Sequence, residues 1–202
     1  MEIPRPEHPR PQFLRETWIN LNGLWTYAFD SGKSGLARGL RHAKGFDDSI
    51  TVPFCPESRL SGVGQTDFID AMWYHRRIEV PEAWTGRRVV LHFGAVDYEC
   101  AIYIDGAFAG SHVGGQCSFE FDVTDLVRPG AAHDLVVAVR DDVRSTVQAV
   151  GKQSLSYESQ ACTYTRVTGI WQTVWLEGVP EGGLAGCRIV ADFDGGQFVF
   201  SP

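Results

Sequence analysis

Short stretches of alternating apolar and polar residues recur along the chain and predict a protein built from β-strands. The clearest is RVVLHF, residues 88–93, in which every second residue is apolar. Side chains on a strand point alternately to its two faces, so this spacing turns one apolar face toward a core. The same spacing recurs in three further sets, namely Cys100, Ile102 and Ile104; Phe119, Phe121 and Val123; and Leu135, Val137 and Val139. The pattern predicts strands at all four places.

Turn signals separate these stretches. Asp105-Gly106 stands between two of them, and a two-residue Asp-Gly turn suits the backbone twist of a β-hairpin. Two more strands are predicted over residues 24–29 and 49–53, and no stretch of helical length repeats with the helical period. Many short strands with regular turns predict an all-β fold, either a β-sandwich or a jelly roll.

Composition suggests three segments. Residues 1–12 contain four prolines and are predicted to form an extended arm on the surface of a main domain at 13–180. Residues 181–202 begin as a Gly-rich linker and continue as strand, Asp-Gly-Gly turn and strand. A lone hairpin cannot bury its apolar face, so we expect the sequence to be cut inside a second β domain.

Charge and cysteine content narrow the classes of partner and cofactor. A net charge of −7 disfavours nucleic acids and anionic membranes as partners, and no apolar run reaches the roughly 18 residues of a membrane span. The N-terminus lacks the apolar stretch of a signal peptide, so we expect a cytoplasmic protein if Met1 is the native start. The odd number of cysteines and the absence of C-x-x-C spacing predict free thiols, no metal site and no cofactor. The cysteines are Cys55, Cys100, Cys117, Cys162 and Cys187.

The order of sequence blocks over residues 13–180 resembles the N-terminal sugar-binding domain of glycoside hydrolase family 2, which includes β-galactosidases, β-glucuronidases and β-mannosidases. The blocks that carry the resemblance are WINLNGLWTYAFD, ITVPFCPES, MWYHRRIEVPEAW, RVVLHFGAVDYECAIYIDGAFAGSHVGG, SFEFDVTDLV, DLVVAVRDD, GKQ and RVTGIWQTVWLE. The resemblance implies a jelly-roll β-sandwich of the galactose-binding-domain-like type. It also implies that an immunoglobulin-like sandwich follows, whose first strands begin near Cys187, and then a TIM barrel.

The resemblance assigns the chemistry to the missing barrel, which carries the two glutamates of a retaining β-glycosidase. Such hydrolysis needs two carboxyl groups about 5–5.5 Å apart, and no pair in this chain can be nominated. We therefore predict no catalytic residue here and no hydrolysis by this fragment alone. The parent is expected to cleave β-linked O-glycosyl bonds, in the manner of a β-galactosidase or β-glucuronidase. Its expected partners are a carbohydrate and the two downstream domains, and a homo-oligomer stays open.

In the family, the loop after the DLVVAVRDD-like strand reaches toward the barrel and helps to close the sugar subsite. Here Lys152 and Gln153 match the family's GKQ, and both offer donors to sugar hydroxyls. Thr163 stands six residues before Gly169, where well-studied members carry an aspartate that points into the active site. Together with Arg166 these residues form the predicted substrate-binding set of the loop. The alternative is that GKQ pins the loop without touching sugar and that Arg166 is an anchor.

Several other polar residues have competing interpretations. Asp70, before the WYHRR block, is a further candidate for the sugar site, and the alternative is a surface pair with an arginine. Asp97 is predicted to be a structural hydrogen-bonding residue at the start of a strand, and His92 a core or edge histidine. Asp141 and Asp142 end a strand and are predicted to face solvent.

Trp171 and Trp175 offer either a sugar-stacking platform or a packed strand. A strand beginning at Ile170 would place both tryptophans on one face and Ile170, Val174 and Leu176 on the other. We favour packing for both rings. The resemblance favours a non-catalytic sugar-binding domain, whereas a free-standing lectin-like module and a structural or dimerising domain without a ligand stay open.

Overall fold

The computed structural model describes residues 3–202 and contains fourteen strands and five short 3-10 helices. In chain order the strands are β1 (Trp18–Asn20), β2 (Gly23–Phe29), β3 (Asp48–Val52), β4 (Ala71–Glu79), β5 (Arg88–Phe93), β6 (Val96–Asp97), β7 (Glu99–Ile104), β8 (Ala107–Val113), β9 (Phe119–Asp122), β10 (Ala132–Arg140), β11 (Gly169–Ile170), β12 (Val174–Val179), β13 (Arg188–Asp192) and β14 (Gln197–Ser201). The helices are Pro11–Phe13, Leu40–His42, Arg59–Ser61, Glu82–Trp84 and Thr124–Leu126. None of these helices has the length or apolar character of a membrane-crossing segment.

Two antiparallel sheets face each other across one apolar core. The larger sheet has the order β3-β2-β4-β10-β7-β8, and the smaller has the order β1-β12-β5-β9. The alternating residues of both sheets meet between them, so that Leu91, Ile102 and Val137 all belong to one buried cluster. The prediction of an all-β sandwich is therefore confirmed.

The hairpin predicted at Asp105-Gly106 is present between β7 and β8. Both turn residues have positive φ, 50° and 83°, and Ile104 pairs directly with Ala107. Two residues with positive φ give the primed turn whose twist matches that of the flanking strands. The Asp-Gly turn therefore sets the first two pairs, Ile104 with Ala107 and Tyr103 with Phe108, and the register shifts at Ile102, which pairs with Gly110.

The strand predicted to run on from Ile170 is interrupted, because its partner bends. β11 pairs with β6, whereas β12 pairs with β5, and the chain crosses between them at residues 171–173. The bend lies at Gly94, whose N–H donates to Thr173 O at 2.8 Å and whose missing side chain leaves room for Gln172. Val174 and Leu176 point into the core, as the alternation predicted.

The two ends of the described chain differ in how they pack. The N-terminal segment, residues 3–17, contacts the small sheet, for example through a bond from Thr17 Oγ1 to Gly178 O at 2.7 Å. At the other end β13 and β14 pair only with each other. This C-terminal hairpin leaves Phe193, Phe198 and Phe200 exposed.

Candidate functional site

Three carboxyl groups are buried where the long loop of residues 141–168 begins and ends. Asp97 is the last residue of β6, Asp141 directly follows β10, and Glu57 lies in the turn region after β3. Their exposed fractions are 1%, 3% and 7% respectively. No lysine, arginine or histidine of residues 3–202 lies within ion-pair distance of any of the three. We refer to Glu57, Asp97 and Asp141 as the carboxyl cluster.

Gln153 and Thr168 tie the loop to Asp97 and to Glu57 and Asp141, respectively. Gln153 donates from Nε2 to Asp97 Oδ2 at 2.9 Å, and its Oε1 accepts the N–H of Val167 at 2.8 Å. Thr168 donates from Oγ1 to Asp141 Oδ2 at 2.9 Å and from its backbone N–H to Glu57 Oε2 at 3.2 Å. One oxygen on Asp97 and one on Glu57 are buried with no hydrogen-bond partner among the described residues.

Burial makes these carboxyl groups weaker acids than exposed ones. It raises the pKa of Asp97 to about 7, assisted by the charge on Asp141 and opposed by the hydrogen bond from Gln153. Burial likewise raises the pKa of Asp141 to about 6, against the bonds that its oxygens accept. The pKa of Glu57 is also raised, chiefly by burial. A charged carboxylate is disfavoured in such surroundings, since it has lost water without gaining a cation.

The prediction that Asp141 faces solvent is wrong. Its Oδ1 accepts from Gln148 Nε2 at 2.7 Å, and Thr168 covers the other oxygen. Both partners come from the loop that folds back over the end of β10. Asp142, in contrast, is half-exposed and lies 3.7 Å from Lys33 Nζ.

Arg166 holds the loop from within. Its side chain is almost fully buried and donates from Nη1 to Ser154 O at 3.2 Å and to Ser156 O at 2.6 Å. Nη2 donates to the carbonyl of Thr66, which lies outside the loop in the segment before β4. The guanidinium also lies 4.1 Å from the ring centroid of Phe68. A planar group with several donors suits three carbonyls that converge in this way.

The other predicted substrate-binding residues lie nearer to solvent. Lys152 has an exposed side chain, and its carbonyl accepts from Tyr164 N at 2.9 Å. Thr163 donates from Oγ1 to Gln160 O at 2.8 Å, which closes a turn in the outer part of the loop. Asp70 lies 3.8 Å from Lys33 Nζ and pairs with no arginine among the described residues. The structure therefore places Gln153 and Arg166 inside the loop's anchorage and Lys152 and Thr163 at its outer side. Asp70 lies beside the start of the loop, where its carbonyl accepts from Asp141 N at 3.0 Å.

Trp175 is packed inside the protein, whereas Trp171 is only partly buried. Trp175 is 1% exposed, stacks on His92 with ring centroids 4.7 Å apart, and donates to Glu177 Oε1 at 2.9 Å. Trp171 is half-buried and donates to Gly115 O at 2.8 Å. Gly115 in turn covers Asp97, since a Cβ on it would lie 2.3 Å from Asp97 Oδ1.

Sequence reasoning missed Glu57, Gln148 and Thr168 as parts of this site. Each is a common polar residue outside any recognisable motif, and no spacing relates them, because they meet only when the loop closes. All five cysteines are free. Within residues 3–202 no three histidine, cysteine or acidic side chains are placed to share a metal ion.

Gly169, the first residue after the loop, allows a prediction about the stability of the domain. Gly169 has φ +74°, and a Cβ there would lie 2.2 Å from the hydroxyl oxygen of Tyr74. We expect Gly169→Ala to lower the free energy of unfolding by about 2 kcal/mol, from backbone strain and crowding together. Urea denaturation would measure it. Gly151→Ala is the matched control, because Gly151 also has positive φ but nothing within 4 Å. Equal losses in the two variants would contradict the crowding argument.

Comparisons with known proteins agree with this architecture. A sequence model described as "Glycosyl hydrolases family 2, sugar binding domain" matches residues 63–180. A β-galactosidase from Thermoanaerobacter pseudethanolicus is 31% identical over 113 residues, which cover 56% of this chain and 14% of that protein. A β-glucuronidase from Felis catus is 25% identical over 169 residues, which cover 79% of this chain and 26% of that protein.

The solved structure of a β-glucuronidase from Ruminococcus gnavus superposes with a TM-score of 0.68 at 21% identity and shows the same fold. The match covers 84% of this chain and 30% of that one. The chain thus spans less than a third of each of these three proteins.

Proposed function

Because the chain belongs to the sugar-binding domain family of glycoside hydrolase family 2, we propose that it is the non-catalytic N-terminal domain of a β-glycosidase. The parent would hydrolyse β-linked O-glycosyl bonds, with a β-galactosidase-like or β-glucuronidase-like activity. The observation that carries the proposal is the long loop of residues 141–168, anchored at both ends by the carboxyl cluster. Long loops that are held in place by buried hydrogen bonds are characteristic of functional sites.

Within this proposal the site residues divide into two groups. Gln153 and Arg166 hold the loop, through Asp97 and through three backbone carbonyls. Lys152, Thr163 and Asp70 have exposed or half-exposed side chains, which would help to complete a sugar subsite with a barrel domain. Hydroxyl, ammonium and carboxylate groups are all suited to hydrogen-bond sugar hydroxyls.

The domain organisation of the parent is part of the proposal. We assign residues 1–12 to an arm, 13–180 to the sugar-binding domain, and 181–202 to a linker and the start of an immunoglobulin-like domain. The exposed aromatic side chains of the C-terminal hairpin support a following domain that would cover them. The free cysteines are in keeping with a cytoplasmic location, where thiols stay reduced.

Activity measurements test the proposal directly. The 202-residue chain should not hydrolyse chromogenic β-galactosides or β-glucuronides above a heat-killed control. A protein that also carries the residues following this chain in its reading frame should hydrolyse at least one of them. Turnover by the 202-residue chain itself, or none by the longer protein with any chromogenic β-glycoside, would contradict it.

Calorimetric titration separates the proposal from a free-standing lectin-like module. The isolated chain should give little or no heat with galactose, glucuronate or mannose at millimolar concentration, because a shared subsite without its barrel half lacks most of its contacts. Saturable binding at micromolar concentration would favour the lectin-like module instead.

A further inference from the structure

The carboxyl cluster is unusual in having only uncharged partners. Asp97 is bonded by Gln153, Asp141 by Gln148 and Thr168, and Glu57 by Thr168. Burying a carboxylate without a cation costs far more than burying the neutral acid, and an unpartnered oxygen adds to that cost. The arrangement therefore favours protons on these groups as long as the loop is closed.

The surrounding titratable groups act in the same direction. Asp97 is faced by Asp141 and Glu57, and Asp141 by Asp142 and Asp70. Glu57 has the thiol of Cys55 and the hydroxyl of Tyr74 as neighbours. The nearby cations are engaged elsewhere, with Lys33 between Asp70 and Asp142 and Arg166 on backbone carbonyls. Successive ionisation of the cluster thus adds negative charge that nothing at ion-pair distance offsets.

We propose that the loop of residues 141–168 is a pH-gated latch, closed while the buried carboxyl groups that bind Gln153 and Thr168 hold protons and loosened as those groups ionise. The closed loop depends on these groups at both ends, since Gln148, Gln153 and Thr168 are the loop residues that donate hydrogen bonds to Asp97, Asp141 and Glu57 in residues 3–202. Opening would return the carboxylates to water and remove their mutual repulsion.

The direction of the pH effect follows from the two states. With the loop open, an aspartate has an ordinary pKa near 3.8, whereas with it closed the pKa values of Asp141 and Asp97 are about 6 and about 7. Between these limits the closed state holds more protons, so its stability falls as pH rises. The latch is therefore tightest near pH 4, weakens up to about pH 7, and changes little above that.

Hydrogen exchange read by NMR tests the latch on the intact chain without any sugar. The reporters are the amides of Ser154 and Val167, which bond to Tyr164 O and to Gln153 Oε1. After correction for the intrinsic exchange rate, we expect their protection to fall about tenfold or more between pH 5 and pH 8. The amide of Val137, in the core of β10, should lose clearly less.

A double variant, Asp97→Asn with Asp141→Asn, keeps the shape and one accepting oxygen at each position, and it removes two of the three ionisable groups while leaving Glu57. It should flatten the pH dependence of the loop amides, whereas Asp47→Asn, at an exposed aspartate, should leave it unchanged. Protection that does not vary with pH, or a dependence that the double variant retains in full, would overturn the proposal. If the double variant does not fold, the carboxyl ¹³C titration of wild-type Asp97 decides: a midpoint below pH 5 refutes the latch, and one near 7 supports it. A refuted latch leaves the proposed function standing.

Discussion

Replacement of Arg166 with Met is expected to lower the free energy of unfolding by about 3 kcal/mol, because each buried acceptor that loses its donor costs about 1–3 kcal/mol. The methionine fills most of the volume but donates no hydrogen bond. The carbonyls of Ser154, Ser156 and Thr66 then lose their shared donor, two of them inside the loop and one in the segment before β4. Chemical denaturation monitored by tryptophan fluorescence would measure the loss.

Arg144→Met is the matched control for this variant. The guanidinium of Arg144 lies at the same distance, 4.1 Å, from the ring centroid of Phe68, but its side chain is exposed and bonds to no carbonyl among the described residues. We expect a change of about 0.5 kcal/mol or less, the usual size for an exposed site. If both variants lost the same stability, stacking on Phe68 rather than carbonyl binding would be the important contact.

Replacement of Glu177 with Gln is expected to cost about 3 kcal/mol at neutral pH, and this loss should vanish in acid. Glu177 is buried, which opposes ionisation, yet its pKa is lowered from 4.5 to about 2 by His92, Trp175 and Arg15. Arg15 Nε lies 2.7 Å from Oε2 and anchors the N-terminal segment to the small sheet. Glutamine keeps the shape but loses the charge that these contacts use.

The pH window of this effect follows from the lowered pKa. The stabilisation is present in full above about pH 4.5 and is lost as pH falls through about 2, because the folded state then takes up the proton it had resisted. Denaturation curves at several pH values should therefore converge for wild type and Glu177→Gln in strong acid. Glu79→Gln, at an exposed glutamate of β4, should follow wild type throughout. A gap that persists undiminished at pH 2 would refute the electrostatic explanation.

The strands were predictable from the sequence because each is a local pattern with one buried face. The alternation at 88–93 coincides with β5, and the Asp-Gly turn gave the β7–β8 hairpin. The break in the strand after Ile170 was not predictable from that strand's own residues. It is imposed by the bend at Gly94, more than seventy residues earlier in the chain, where the partner strand changes direction.

The loop's anchorage was predictable only in part. The GKQ match pointed to Gln153, but nothing in the sequence paired it with Asp97, and the sequence predicted that Asp141 faces solvent at the end of a strand. Whether an aspartate is buried depends on what folds over it, and here Gln148 and Thr168 do so from opposite ends of a long loop. Periodicity carries no information on such contacts, since irregular loops have no repeat.

The C-terminal hairpin has a consequence for the behaviour of this chain in solution. β14 presents an unpaired edge beside exposed Phe198 and Phe200, and β13 does so beside Ile189. Two strands alone are marginally stable, and a free apolar edge is a template for strands of other molecules. Association of concentrated samples should therefore begin at residues 188–201. An oligomer of this chain would then reflect contacts of the C-terminal hairpin and not an interface of the sugar-binding domain.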